Sequence, residues 1–397
     1  MKKVILFLSA ILLTLNIFSQ TMKESVYFLA SDELEGRFPM SKGDSLARKY
    51  IVETFLNNKI VPITQNFTFS FKPRLAEEKI ELQTANIYGI IRGNDHKLKD
   101  EYVVIGAHFD HLGKNNTYSM RNDSTNIHYG ADDNASGVAM MLEMAGRLSK
   151  GNYGRSLIFV AFAAEEEGLN GSKFFVENMP VNKDNVVAMF NFDMVGKFRN
   201  NTINAGGIGT SLESEAIVRN VAKEYNLNVK LSSSGIGASD HSSFYASNIP
   251  VFFIHTDADT TYHTPSDKPQ YINYSGMDTI ADFSFALIEN VLLRENRLTF
   301  QRSIDPQNTN PSRMKVSLGI MPDHSGTANG VKVDVVSKNR AADRAGIKQG
   351  DIIIEINNKK VGDLYEYMEA FSNVEQGETI DVKLIREGKE IVIKVKM

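Results

Sequence analysis

The chain has 397 residues, 42% of them hydrophobic and 23% charged, with 28 Gly, 10 Pro, no Trp and no Cys. That composition fits roughly two or three domains with ordinary cores and excludes a mainly disordered or fibrous protein. Forty-four Lys and Arg against 48 Asp and Glu leave a net charge of −4, with no global attraction to nucleic acid or anionic lipid. Without Cys there can be no disulfide, Fe–S cluster or thiol nucleophile, so any metal site must be built from His, Asp and Glu.

Lys2 and Lys3 precede an apolar run from Val4 to Leu15, followed by a short polar region ending at Ser19 and Gln20. The run is short for a retained span and predicts a secretory signal over 1–19, cleaved around Ser19. An exported protein, periplasmic or extracellular, is expected, with no membrane span after cleavage. Residues 21–63 read as mostly helical, with Ala47, Tyr50, Ile51, Phe55 and Leu56 at helical spacings. Strand-like patches follow over 64–100. A repeated pattern then takes over: short apolar strand, acidic loop, helix. Val103–Ala107, Leu157–Phe162, Val186–Phe192 and Val251–Ile254 are such strands, nearly continuous in apolar residues, as expected of an α/β sheet covered on both faces. Ser136 is expected to cap a helix that buries Val138, Met141, Leu142, Ala145 and Leu148, and a long helix is predicted near Ile280–Leu293. The polar stretch 301–312 has the composition of a linker. Beyond it, over 313–397, GVKVDVV, DIIIEI, IDVKLI and IVIKVKM predict the strands of a small β-rich domain.

Chemistry-bearing residues gather at the predicted strand ends. GAHFDHLG (106–113) carries His108 and Asp110; GADDNASG (130–137) carries Asp132 and Asp133; AFAAEEEGLNGS (161–172) carries Glu165, Glu166 and Glu167. NFDM (191–194), SDHSSF (239–244) and HTDADTTYHT (255–264) add Asp193, Asp240 and His263. Taken singly, each is equally an Asx-rich turn or a solvated charge run. Parallel strands, however, would bring these ends to one rim. Two imidazoles and three carboxylates can hold two divalent ions if one carboxylate bridges, and a neighbouring Glu can take a proton from the attacking water. That set describes a hydrolase.

With ASDELEGR (30–37) and YHTPSD (262–267) in the same order, residues 27–295 resemble co-catalytic zinc aminopeptidases of the M28 type. The resemblance implies a three-layer α/β/α domain over 20–300, with a mixed, mostly parallel sheet and two Zn²⁺ per subunit, acting on peptides with a free N-terminus. It places His108 and Asp193 on one zinc, Glu166 and His263 on the other, and Asp133 between them, with a cis peptide after Asp133. It makes Glu165 the general base and Tyr262 a donor to the developing oxyanion. Asp110 falls behind His108, and Asp240 falls near the substrate side. His111 and His128 are left outside the metal shell, His255 is expected to support its own turn, and His96 and His324 are expected at the surface. Side-chain preference is expected to rest on loops such as 114–129 and 230–248.

Residues 313–397 resemble a PDZ domain. Leu318, Gly319 and Ile320 fall where such a domain presents N–H groups to a peptide or protein carboxylate, although Pro322 removes a donor from the strand a ligand would extend. The alternatives on the same α/β fold are a one-zinc glutaminyl cyclase-like acyltransferase and a carboxypeptidase or amidohydrolase.

Overall fold

The computed structural model describes residues 21–71, 78, 80–114, 126–303, 316, 318–322, 330–336, 340–362, 366–367, 370–371 and 374–397. The expected signal over 1–19, most of the expected linker over 301–312, most of loop 114–129 and His324 lie outside the described residues.

Helix α1 (Met22–Leu29) starts on a capping box, in which Thr21 accepts from the Glu24 N–H and Glu24 accepts from that of Thr21. Helix α2 (Lys42–Asn57) is capped by Ser41 and buries Ala47, Tyr50, Ile51 and Phe55. Leu56, expected on that face, is 55% exposed. It follows Phe55 by one residue and so stands about 100° round the helix from it.

Strands β1 (Pro62–Phe71) and β2 (Ile80–Ile91) form a long antiparallel pair. They lead into β3 (Tyr102–His108), β4 (Ser156–Phe162), β5 (Val186–Phe192), β6 (Thr202–Gly206), β7 (Asn228–Leu231) and β8 (Val251–His255). The eight strands lie in the order β1-β2-β4-β3-β5-β8-β6-β7. β3 pairs in parallel with β4 and β5, and β5 with β8, while β6 runs antiparallel to β8.

Every residue of β3, β4 and β5 is buried, and alternate side chains serve two cores. Val103, Ile105 and Ala107 pack with α1, α2, α3 (Gly137–Leu148), α5 (Ser214–Glu224) and α7 (Tyr274–Leu292). Val104, Ile158, Val160 and Phe162 pack instead with Phe175 of α4 (Asn170–Glu177) and Phe244 of α6 (His241–Ala246). Each such side chain contributes about 1.5–3 kcal/mol on burial. The helices on opposite faces make the expected three-layer α/β/α domain, with the C-terminal ends of β3, β4, β5 and β8 on one rim.

Ser136 does not cap α3. Its own backbone is already helical, and its hydroxyl donates to the Asp132 carbonyl and accepts from the Val195 N–H. The face expected of α3 is buried as read, together with Met140 and Met144.

The C-terminal unit is a separate sheet of β9 (Ile320–Pro322), β10 (Val331–Val336), β11 (Ile352–Ile356), β12 (Lys359–Lys360), β13 (Thr379–Arg386) and β14 (Lys389–Lys396), with α8 (Ala341–Ala345) after β10. Leu318, Val333, Ile353, Phe371, Ile380, Val382 and Leu384 form its own core. Asp351, from the AGIKQGD turn, takes a two-pronged bond from Arg386 at 2.7 Å on each oxygen.

Candidate metal centre

Each strand on the rim delivers a polar group as it ends. His108 is the last residue of β3. After β4 the chain reverses at Ala164 (φ 55), and the Glu165 carbonyl accepts from both Gly168 and Leu169. Asp193 follows β5 and precedes Met194 (φ 58), and His263 has a φ of 54. A left-handed non-glycine residue costs about 1–2 kcal/mol, so these turns are held by what surrounds them. The Asp133–Asn134 peptide is cis, as expected.

The turn that carries Asp133 is stapled on both sides. Asp267 accepts from the backbone N–H of Asp132 and of Asp133. Asn134 donates to the Phe192 carbonyl and accepts from Gly137 and Met194, which ties the turn to the end of β5 beside Asp193.

Among the described residues, two groups of side chains converge closely enough to hold an ion: His108 with Glu165 and Asp193, and His111 with Asp133 and Glu166. His108 Nε2 stands 3.4 Å from Asp133 Oδ1, 3.4 Å from Asp193 Oδ1 and 3.9 Å from Glu165 Oε2. His263 Nε2 stands 2.9 Å from Asp133 Oδ2 and 3.3 Å from Glu166 Oε2. Ligand atoms set tetrahedrally about 2.0–2.2 Å from one zinc ion are roughly 3.4 Å apart. The spacing around His108 is therefore wide for hydrogen bonds and right for sharing an ion, and a His and carboxylate donor set without thiolates suits zinc.

The charges agree. Burial would lower the pKa of His108, but Glu165 and Asp193 raise it well above the ordinary value. Against the same opposition from burial, Glu166 and Asp133 raise His263 to about 10. Burial also works against charge on the carboxylates, yet the facing His108 and His263 rings hold Asp133 well below the usual range, and His263 holds Glu166 down to about 2. The pocket is built to favour cations. Glu165 behaves differently: burial pushes its carboxyl well above the usual range, His108 opposes that rise, and Glu166 adds to it.

The sequence profile of peptidase family M28 matches residues 86–288. The chain belongs to that family. A PDZ domain profile matches residues 307–397. The chain is 30% identical over 226 residues to aminopeptidase YwaD of Bacillus subtilis, an alignment covering 53% of this chain and 46% of that protein. It is 28% identical over 222 residues to leucine aminopeptidase 1 of Pyrenophora teres f. teres, covering 49% and 54%. The chain thus spans about half the length of the curated relatives it matches. Among solved structures, the aminopeptidase from Aneurinibacillus sp. strain AM-1 superposes with a TM-score of 0.58 at 18% identity, over 72% of this chain and 96% of that one. A Porphyromonas gingivalis glutaminyl cyclase does so at 0.54 and 19%, over 68% and 99%.

The structure departs most from the sequence-based expectation at His111, expected outside the metal shell but grouped here with Asp133 and Glu166. Its ring is fully buried, and Nδ1 lies 2.7 Å from Glu166 Oε1. Asp110 also sits differently from a simple partner of His108: its oxygens accept from the N–H groups of Glu165 and Glu166, and Oδ1 is 3.8 Å from His108 Nδ1. Asp240 is fully buried, which pushes its carboxyl up to about 7. Its neighbour Ser239 donates to Asp193 Oδ2. Tyr262 stacks on His263 with ring centres 3.8 Å apart, and burial and the surrounding carboxylates keep its phenol protonated. His128 is buried with its ring 6.4 Å from that of His111. His255 bonds its own turn through Thr256, and His96 is exposed. In the C-terminal unit the Leu318 carbonyl accepts from Ala342, Gly319 has a φ of +77, and Ile320 begins β9.

Proposed function

We propose that this protein is an exported zinc aminopeptidase that removes N-terminal residues from peptides. The observation that carries the proposal is the division of one carboxylate: Asp133 turns Oδ1 towards His108 and Oδ2 towards His263. A group with its two oxygens in two donor sets is a bridge. His108 and Asp193 complete one set, and Glu166 and His263 complete the other. Bound there, zinc supplies Lewis-acid polarisation of the scissile carbonyl and acidifies the attacking water.

Glu165 accepts the proton of that water and hands it to the leaving amine, a task suited to a carboxyl that burial holds above the usual carboxylate range. The protonated phenol of Tyr262 donates to the carbonyl oxygen as negative charge develops there. Asp110 fixes the Glu165–Glu166 backbone. Asp240 and its neighbours make the pocket acidic, which favours the substrate's free ammonium group and limits cleavage to the first peptide bond.

Short peptides with free N-termini are expected to be hydrolysed at least about 100-fold faster than their N-acetylated forms, a difference of about 2.7 kcal/mol. Activity is expected to disappear with chelator and return with zinc. Release assays on both peptide series decide; a requirement for a free C-terminus would mean a carboxypeptidase. The second donor set disfavours a one-zinc cyclase, which would instead release ammonia from peptides beginning with Gln.

The division into a signal (1–19), peptidase domain (20–300), linker (301–312) and PDZ-like domain (313–397) belongs to the same proposal. Its support is the pair of cores over one α/β sheet and the independent core of the C-terminal unit. Among the described residues no helix is long and apolar enough to cross a membrane. A chain ending near Asn308 is expected to fold and to keep kcat/KM for a one-residue amide within about tenfold of the full chain, or 1.4 kcal/mol. A loss confined to a decapeptide would assign Leu318, Gly319 and Ile320 to recruiting a peptide or protein ligand. A larger loss on the amide would show that the C-terminal unit supports the active site.

A further inference from the structure

Arg37 lies outside the segment that matches the family profile, and nothing in the chemistry above uses it. Its side chain is wholly buried. The guanidinium donates from Nε to the Phe109 carbonyl at 2.7 Å and from Nη1 to those of Leu29 at 2.5 Å and Tyr129 at 2.8 Å. Nη2 donates to the Gly130 carbonyl at 2.9 Å. Phe109 sits between His108 and Asp110. Tyr129 and Gly130 lead directly into the turn that carries Asp133. One planar fork therefore grips both loops that deliver the donor atoms around Asp133.

The neighbours of Arg37 in ASDELEGR reinforce the grip. Gly36 accepts from the Gly113 N–H, and Gly113 in turn accepts from that of His128. A Cβ on Gly36, at φ +76, would come within 2.4 Å of the His128 carbonyl oxygen and 2.8 Å of Gly113 Cα. Tyr129 donates its hydroxyl to Asp32 at 2.7 Å. On the inner side, a Cβ on Gly130 would meet the Asp133 carbonyl oxygen at 2.1 Å and the His111 ring at 2.6 Å. The two loops are thus clamped from outside and touch on the inside. Burial lowers the Arg37 pKa to about 10, and the opposing charges are Asp110, Asp133, Asp267 and Glu166. The cation is balanced through space by carboxylates of the candidate centre.

We infer that Arg37 is a positioning residue: it fixes the spacing between the His108–His111 loop and the Asp133 turn, and through that spacing sets the affinity of the paired zinc site. The inference rests on Asp133 being the shared ligand. An arginine is required because its donors are fixed in one plane, whereas a lysine offers one flexible ammonium that cannot reach carbonyls in two loops with the same registry.

The test measures zinc by competition with a chromogenic chelator on the full-length protein, with no peptide substrate. Arg37→Lys is expected to keep the far-UV spectrum and to weaken zinc binding about 10–100-fold, the range for residues that orient ligands. In an Asp133→Asn background the same change is expected to have little further effect on whatever zinc remains, because Arg37 acts through that turn. A folded Arg37→Lys protein that binds zinc like the wild type overturns the inference, as does an equal loss in the Asp133→Asn background. Should Arg37→Lys not fold, Arg37→Gln, whose planar amide still donates but is too short to span both loops, reports instead. Weaker zinc binding by a cooperatively folded Arg37→Gln protein is then expected, and unchanged binding overturns the inference. A wild-type protein that holds only one zinc would count against the shared Asp133 instead, and absence of peptide hydrolysis against the aminopeptidase reading.

Discussion

Glu165→Gln is expected to leave zinc content at the wild-type level and to lower kcat by about 10²–10⁴, the usual worth of a general base. The amide keeps the shape of the carboxyl but cannot accept the proton of the attacking water. Two observations make the result informative. Glu165 Oε2 lies 3.9 Å from His108 Nε2, and Glu165 groups with His108 and Asp193 as a possible ion holder. The nearer oxygens at His108 belong to Asp133 and Asp193, both at 3.4 Å. Burial, with added repulsion from Glu166, pushes the Glu165 carboxyl well above its usual range, whereas Asp133 is held far below it. A base needs the raised value and a ligand the depressed one. Metal analysis beside steady-state kinetics separates the roles. Loss of one zinc equivalent would make Glu165 a ligand, and near-normal kcat at full zinc would remove it from the proton transfer.

Much of this centre was legible because buried parallel strands announce themselves. Runs such as VVIGA and LIFVAF have no polar face to hide, so the first charged residue after each marks the rim. Side-chain orientation beyond a strand end was not legible. In an extended chain His108 and Asp110 point one way and His111 the other, which argues against His111 as a member of the cluster. In the structure Asp110 and His111 both meet the Glu165–Glu166 turn, Asp110 through the two backbone N–H groups and His111 through Glu166 Oε1, so strand alternation does not hold past the end of β3.

Ser136 failed as a cap for a related reason. Helix α3 begins at Gly137 as the spacing suggests, but a helical turn over Ala131–Ser136, non-helical only at Asp133 and Asn134, runs straight into it, so Ser136 already has helical backbone and spends its hydroxyl on Asp132 and Val195. Arg37 shows a different limit. A charged residue in a polar motif reads as surface, and only carbonyls from two distant segments, at Phe109 and at Tyr129–Gly130, reveal that it is interior. Strand β9, three residues ending in Pro322, is too short to carry a period.

Asp133→Asn is expected to deplete both zinc ions, whereas Glu166→Gln and Asp193→Asn each weaken mainly one. The carboxylate divides its oxygens between the His108 and His263 sets. An amide keeps one oxygen but turns an NH₂ group towards the other set, where it can only repel a cation. The turn itself should persist, because Asp267 holds it through the backbone N–H groups of Asp132 and Asp133 and not through the side chain being changed. Two measurements on dialysed protein follow. Mass-spectrometric metal analysis should find close to two equivalents in the wild type, well below one in Asp133→Asn, and about one in each of the other variants. Thermal unfolding should show a wild-type Tm that rises with added zinc, since a ligand at 100 times its Kd stabilises by about 2.7 kcal/mol. The Asp133→Asn protein should unfold cooperatively with a Tm nearly independent of zinc. Two full equivalents retained by that variant would refute the bridge. One retained equivalent with a normal zinc-dependent rise in Tm would place Asp133 in a single donor set and leave His111, already against Glu166, as the group that completes the other.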